Sequence, residues 1–177
     1  MSDQPQTEAE RMLQYYNSQG ERNTFREIWP RTVEARVNLL ECLRKVSDEE
    51  GDWAPTAGDW SVKQAARHIL NSSRSVRRVV KALSAGETGD SSNIEPPRET
   101  TDASVGELIE QLRDDGIEWT GVIAELPPAP PLQPTSPHQM FGELHARAWF
   151  LFQRTHDLDH VGQINAIKAM AGYPGAK

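Results

Sequence analysis

The sequence predicts an all-α fold, a four-helix bundle in which long Gly/Ser-rich and Pro-rich connections join the helices. Four segments repeat apolar residues at spacings of three and four, which is typical of helices with one buried face. No segment alternates β-branched and polar residues, so no sheet is expected. The chain has 177 residues, of which 37% are hydrophobic and 25% charged, enough to form a core without disulfides.

The first two helices are predicted on either side of a loop at residues 48–59. The first covers about 31–46, and its apolar face is expected to comprise Val33, Val37, Leu40 and Leu43. The second begins after Ser61, which can form a capping box with Gln64, and continues to about Leu83.

The last two helices are separated by a stretch that cannot be helical. The third begins at a second capping box, Ser104 with Glu107, and the fourth covers about 138–170. Between them, residues 127–137 contain six prolines, which favour an extended connection. Residues 84–102 are rich in Gly, Ser, Asp and Pro, and a mobile connection is expected there.

The length favours one domain over residues 1–177, with residues 1–22 as a loosely attached N-terminal extension. The net charge of -7 and the pI near 5.2 argue against nucleic acid or an anionic membrane as a partner. No segment approaches the roughly 20 apolar residues of a membrane span, and the start of the chain is polar and acidic rather than signal-like. The single cysteine, Cys42, excludes an intrachain disulfide. A cytoplasmic protein is therefore expected.

Three histidines stand out by their positions on the predicted helices. His156 and His160 are four residues apart, so they lie side by side on the apolar face of the last helix. His68 lies at the margin of the apolar face of the second helix. Ligands from two helices can meet in a bundle core, and three nitrogens without a fourth protein group are typical of catalytic metal sites.

The residues alone also allow a structural interpretation of these histidines. A pair spaced by four occurs by chance, and a lone core histidine is often only hydrogen-bonded, as is expected for His138 and His145. The zinc-protease pattern H-E-x-x-H is absent because Asp157 follows His156.

Two parts of the sequence resemble the DinB/YfiT-like family. The first comprises residues 47–50, Asp52-Trp53, residues 58–64 and His68-Ile69, and the second comprises residues 156–164, with the paired histidines followed by Gly162-Gln163. The resemblance implies a four-helix bundle of the DinB/YfiT-like type, usually dimeric, that binds one divalent metal ion through His68, His156 and His160. Characterised relatives are similar to thiol-dependent S-transferases and isomerases that use bacillithiol, mycothiol or glutathione-like cofactors.

The resulting hypothesis is a metal-dependent enzyme, a thiol-dependent S-transferase or isomerase that activates a low-molecular-weight thiol. Zinc, nickel, iron and manganese all accept imidazole ligands. Gln163 and Asp159 are candidates to orient ligands or bound water, and Arg67 and Arg74 are candidates to bind carboxylates of an anionic thiol. The alternatives are a non-catalytic metal-binding stress-response bundle and a metal-free binding module.

The last helix also predicts a homodimer. Leu151, Leu158 and Val161 project opposite the histidines, so this helix is apolar on two sides. One of these sides needs a further cover, which the last helix of a second subunit could provide.

Overall fold

The computed structural model describes residues 6–175 and confirms the all-α prediction. The helices are α1 (Glu8–Arg22), α2 (Phe25–Leu43), α3 (Asp48–Asp52), α4 (Val62–Ser84), α5 (Val105–Glu125) and α6 (Ala146–Lys168). A short antiparallel hairpin, β1 (Ser136–His138) with β2 (Gly142–Leu144), precedes α6. The four long helices α2, α4, α5 and α6 form the bundle, and α1 packs against α6. None of the helices in the described part of the chain combines the length and the hydrophobicity that crossing a bilayer requires.

Capping boxes fix where five of the helices begin. The two boxes expected from the sequence, at Ser61 and Ser104, start α4 and α5 as predicted. Thr7, Thr24 and Ser47 form the same reciprocal pair of hydrogen bonds at the starts of α1, α2 and α3. Each box satisfies backbone N–H groups that the first turn of a helix leaves without partners.

The prediction for α2 needs two corrections. The helix begins at Phe25 rather than near residue 31, and it contains Pro30. Val33 and Val37 are 38% and 47% exposed, whereas the buried side of α2 contains Arg36. The predicted apolar face is therefore partly wrong, because a buried ionic contact orients the helix.

The N-terminal segment is not loosely attached over the residues described. Tyr16 in α1 is 1% exposed, and its hydroxyl lies 2.6 Å from Thr155 Oγ1 of α6. Asn17 O lies 3.1 Å from Nε2 of His145, the residue that caps α6. Residues 1–5 of the predicted extension lie outside the described part of the chain.

The region before α6 also differs from the prediction. α6 begins at Ala146, and the segment expected to start it contains the hairpin, so the expectation of no sheet is wrong. Gly142 adopts a positive φ of 88°, which favours glycine where β2 begins. The strands have three residues each, too few for an alternating pattern to be recognised.

The connection between α4 and α5 has no regular structure, but several contacts hold it in place. Ile94 is 3% exposed in the core. Ser136 Oγ of the hairpin both accepts a hydrogen bond from Gly89 N at 3.1 Å and donates one to Gly89 O at 2.8 Å. Arg98 donates to the carbonyl oxygens of Asp59 and Ala57, before α4. The connection was expected to be mobile, but these contacts attach it to the hairpin and to the segment before α4.

A buried polar layer crosses the bundle between two apolar clusters. One cluster surrounds Trp149 and the other surrounds Ile69. Between them, the guanidinium of Arg36 donates from Nε to Asp157 Oδ2 at 2.8 Å and from Nη1 to Asp115 Oδ2 at 3.0 Å. Gln153 Nε2 donates to Asp157 Oδ1 at 2.8 Å. This layer joins α2, α4, α5 and α6, and both carboxylate oxygens of Asp157 are hydrogen-bonded within it.

Candidate metal centre

Two adjacent bundle helices carry the three predicted ligands. α4 presents His68 two turns after its N-cap, on the side that also buries Ile69 and Ser72. α6 presents His156 and His160 on successive turns. His68 and His156 are buried, and His160 is partly exposed.

The three rings converge with their Nε2 atoms facing one another. His68 Nε2 lies 3.3 Å from His156 Nε2, and His156 Nε2 lies 3.1 Å from His160 Nε2. Among the His, Cys, Asp and Glu residues in the described part of the chain, these three form a group in which every pair of ligand atoms lies within 4.8 Å. The structure thus brings together residues that are almost ninety positions apart in the sequence.

Two oxygen atoms determine where the protons lie on two of the rings. Nδ1 of His68 donates to the Pro96 carbonyl oxygen at 3.0 Å, and Nδ1 of His160 donates to Gln163 Oε1 at 2.6 Å. In a neutral imidazole only one nitrogen carries a proton, so Nε2 of both rings presents a lone pair to the centre of the cluster. Such an oxygen partner on the remote nitrogen is typical of metal-bound histidines.

Burial keeps the rings of α6 neutral. Burial, followed by the charges of His160 and His68, lowers the pKa of His156 well below its ordinary value. Burial also lowers the pKa of His160, although the hydrogen bond with Gln163 opposes this shift. Metal ions bind imidazole only in its neutral form, so both shifts favour metal binding.

The spacing of the nitrogens fits a single metal ion. Zn–N bonds of about 2.0–2.1 Å place neighbouring ligand atoms roughly 3.3 Å apart at the corners of a tetrahedron. The two observed Nε2 separations, 3.3 and 3.1 Å, match that spacing. In the tautomer that binds a metal, the lone pairs of all three Nε2 atoms face one another at this distance, and they repel unless a cation lies between them. The three-histidine group can therefore hold a metal ion; that it does so remains a prediction.

Two residues that sequence reasoning missed lie at the edge of the cluster. Glu95 Oε2 lies 3.2 Å from His68 Nε2, and Glu95 Oε1 lies 3.8 Å from His156 Nε2. His138, expected to have only a structural role, is buried with its Nε2 3.9 Å from Glu95 Oε1. In the sequence, Glu95 is one of several acidic residues in a polar connection and does not stand out. The structure shows that its neighbours Ile94 and Pro96 are both buried.

Of the other four candidate residues, all in the described part of the chain, only Gln163 has a hydrogen bond to one of the three imidazoles. Gln163 Oε1 accepts a hydrogen bond from His160 Nδ1. Asp159 is exposed; partial burial raises the pKa of its carboxyl, and the charge of His160 opposes this shift. Arg67 donates to Gln111 of α5 at 3.4 Å. Arg74 lines a surface groove between α4 and α5. Both arginines are therefore directed toward α5 rather than toward the imidazoles, and a role in binding a thiol remains a prediction.

Two further residues have structural roles. Cys42 is 9% exposed, and burial raises the pKa of its thiol, so it is not an activated nucleophile. His145 caps α6, where its Nδ1 accepts a hydrogen bond from Ala148 N at 3.3 Å.

Known proteins are similar to this chain over half of its length or more. The sequence model of the DinB superfamily matches residues 31–164. The chain is 33% identical over 101 residues to the C6 finger domain transcription factor sirZ of Leptosphaeria maculans. The matched region covers 54% of this chain and 20% of that protein. It thus spans about a fifth of that relative. It is 23% identical over 154 residues to the uncharacterized protein YuaE of Bacillus subtilis (strain 168), covering 76% of this chain and 93% of YuaE.

Proposed function

The chain belongs to the DinB superfamily, and on that premise we propose that it is a metal-dependent enzyme that activates a low-molecular-weight thiol. The reaction is transfer of the thiol sulfur to an electrophile or a thiol-dependent isomerisation. The observation that carries the proposal is the convergence of three Nε2 atoms, two of which have their lone pairs fixed by oxygen partners on Nδ1. Family membership and this cluster fit a metal-binding protein; the thiol chemistry is the further step.

The residues of the chain prepare the site in three ways. The three imidazoles are neutral ligands, so they leave the charge of a divalent ion undiminished. The Pro96 carbonyl and the Gln163 amide hold two of the rings in the tautomer that binds. Trp60 contacts the His68 ring edge to face, with centroids 5.4 Å apart, and thereby restrains its orientation. When bound, a divalent ion supplies the charge that lowers the pKa of a ligating thiol and favours the thiolate nucleophile.

The nucleophile in this proposal comes from outside the chain. Cys42 is buried in the apolar cluster around Ile69, on α2, and its pKa is raised rather than lowered. A small thiol is therefore the source of sulfur that this site supports. Zinc, nickel, iron and manganese each remain candidates, because geometry and supply rather than imidazole itself select among them.

A thiol panel with a chloronitroaromatic electrophile tests the proposed activity. In productive turnover the sulfur–carbon bond forms and the carbon–chlorine bond breaks, releasing chloride. We expect metal-reconstituted protein to accelerate this reaction for at least one of bacillithiol, mycothiol and glutathione, and we expect His160→Ala to abolish the acceleration. Turnover that is equal in His160→Ala would contradict the proposal.

The same preparation distinguishes the enzyme from a non-catalytic metal-binding bundle. In cobalt-substituted protein, a thiol that binds the ion adds a sulfur-to-metal absorption band. If metal removal lowers the melting temperature but none of the thiols alters the cobalt spectrum, the ion serves stability alone.

We also propose that the protein is a homodimer, although the surface differs from the one expected. Leu151 on α6 is 3% exposed and is covered within the same chain, which removes it from the expected interface. Val33 and Val37 on α2 and Ile117 on α5, which is 62% exposed, instead line an apolar groove of about 200 Å³. Light scattering should give about twice the chain mass of 19.8 kDa; a mass near 20 kDa at micromolar concentration would contradict a dimer.

A further inference from the structure

We infer that Glu95 supplies a fourth protein ligand to the proposed metal site, so that the site of the substrate-free protein is a three-histidine, one-carboxylate centre. The inference rests on the metal-binding part of the proposed function. In the proposed thiol chemistry the carboxylate would leave the ion when a thiol binds, so that the three neutral imidazoles alone then hold it. It assigns a role to a residue on the connection between α4 and α5, outside the helices that carry the histidines.

Distance is the first argument. Glu95 Oε2 lies 3.2 Å from His68 Nε2, which is the spacing found between the histidine nitrogens themselves. Metal binding requires the neutral imidazole; in that form His68 has its proton on Nδ1, where it donates to the Pro96 carbonyl, and Nε2 has none to donate to this carboxylate. A lone pair and a carboxylate oxygen at 3.2 Å are favourable neighbours when both are directed at one cation.

Charge is the second argument. A divalent ion with three neutral ligands brings two positive charges into a largely buried site, and a buried charge needs a partner of opposite sign. Asp157 is next to His156 in sequence, but Arg36 and Gln153 already engage its two oxygens. In the described part of the chain, Glu95 is the carboxylate within ion-pair distance of two of the ligand nitrogens, those of His68 and His156.

The third argument is that the backbone around Glu95 is held by the site itself. Pro96, the next residue, accepts the hydrogen bond from His68, and Ile94, the preceding residue, is buried in the core. The same short segment thus orients one histidine ligand and presents a carboxylate beside it. The Glu95 side chain is 34% exposed, so the carboxylate lies between the buried imidazoles and solvent.

His138 is also close to this carboxylate. Its Nδ1 accepts a hydrogen bond from Met140 N at 3.1 Å, so the neutral ring carries its proton on Nε2. That nitrogen is buried, has no hydrogen-bond partner within residues 6–175, and has Glu95 Oε1 3.9 Å away. The Nε2–H of His138 is thus an unsatisfied buried donor close to the carboxylate oxygen that is not the one beside His68.

The test compares the metal sites of wild-type protein, Glu95→Gln and Glu99→Gln. Glu99 is on the same connection, where it contacts Asn71 rather than an imidazole, and is thus a matched control. Zinc affinity is measured on the full-length protein by competition with a chelator, and the ligand field is measured by the visible spectrum after cobalt loading. We expect Glu95→Gln to raise the zinc Kd at least tenfold and to change the cobalt spectrum. We expect Glu99→Gln to match the wild type in both.

The outcomes separate this inference from the proposed function. Wild-type affinity and an unchanged cobalt spectrum in Glu95→Gln would overturn the inference alone. A weaker affinity with an unchanged cobalt spectrum would also overturn it, because the carboxylate would then act through its charge and not as a ligand. Failure of the wild-type protein to bind zinc or cobalt would remove the proposed metal site together with the inference. Circular dichroism of the metal-free variants checks that they are folded.

Discussion

A single buried guanidinium connects α2 with the three other helices of the bundle, α4, α5 and α6. Arg36 bonds to Asp157 and Asp115, and its other hydrogen bonds go to Ser73 Oγ at 3.1 Å and the Leu112 carbonyl at 2.9 Å. Asp157 has its ion pair with this guanidinium, whereas Asp115 also pairs with Arg77 of α4. Removing one partner of a buried ion pair leaves an uncompensated charge, which costs much more than the pair itself contributes.

Replacement of Arg36 by methionine should destabilise the protein strongly. We expect Arg36→Met to lower the free energy of unfolding by about 3–5 kcal/mol, because Asp157 and part of the Asp115 hydrogen bonding lose their donor. Arg44→Met is the control: Arg44 pairs with Glu41 on the surface, where the side chains are 59% and 53% exposed. The control should change stability by less than about 1 kcal/mol. Urea unfolding measures both, and equal effects would show that the buried network contributes little.

Among single residues, sequence patterns predicted the histidines but not the atoms that orient them. The spacing of His156 and His160 and the helical face of His68 are visible in the sequence because helices are periodic. The Pro96 carbonyl and Glu95 are on an irregular connection, where position in the sequence says little about position in space. Their proximity to His68 depends on how that connection crosses the bundle.

At the scale of elements, α1 and α6 approach each other closely at one glycine. A Cβ atom placed on Gly20 would lie 2.6 Å from His145 Cε1 and 2.8 Å from the backbone nitrogen of Ala148. Contacts this short with backbone require the two helices to move apart. Gly20 is therefore needed for the packing that buries Tyr16.

A pair of glycine-to-alanine variants tests this packing. Both substitutions gain about 0.5–1 kcal/mol of helix propensity, so the surroundings decide the sign of the net effect. Gly20→Ala should lower the free energy of unfolding by about 1–3 kcal/mol, as overpacking does. Gly121→Ala, in α5, has no neighbouring atom within 4 Å of the new Cβ and should be stabilising. Thermal or urea unfolding of both proteins gives the answer; stabilisation by Gly20→Ala would mean that α1 is not closely docked.

The elements were predictable where local signals were strong. Capping boxes predicted the starts of α4 and α5 because they are local in sequence. The buried face of α2 was not predictable, because Val33 and Val37 are the more apolar residues but Arg36 determines which side packs inward. The burial of α1 was also missed, since its contacts are with residues more than a hundred positions away.

At the scale of the whole molecule, the bundle contains a polar layer with the imidazole cluster beside it. Apolar clusters on either side of the layer provide most of the burial. The Arg36 network occupies the layer and neutralises its carboxylates without involving the imidazoles, whose ring nitrogens remain available for an ion. The sequence predicted that three histidines converge in a bundle; it did not predict the ionic layer, which combines residues from four helices.

Metal analysis of protein purified without a histidine tag tests the central claim most directly. The account predicts close to one equivalent of a divalent transition metal per chain, and well below one equivalent in each of His68→Ala, His156→Ala and His160→Ala. His145→Asn, which removes a histidine outside the cluster but keeps a residue able to cap α6, should retain the full equivalent. Less than a tenth of an equivalent in wild-type protein that also fails to take up zinc, nickel, iron or manganese would contradict the account.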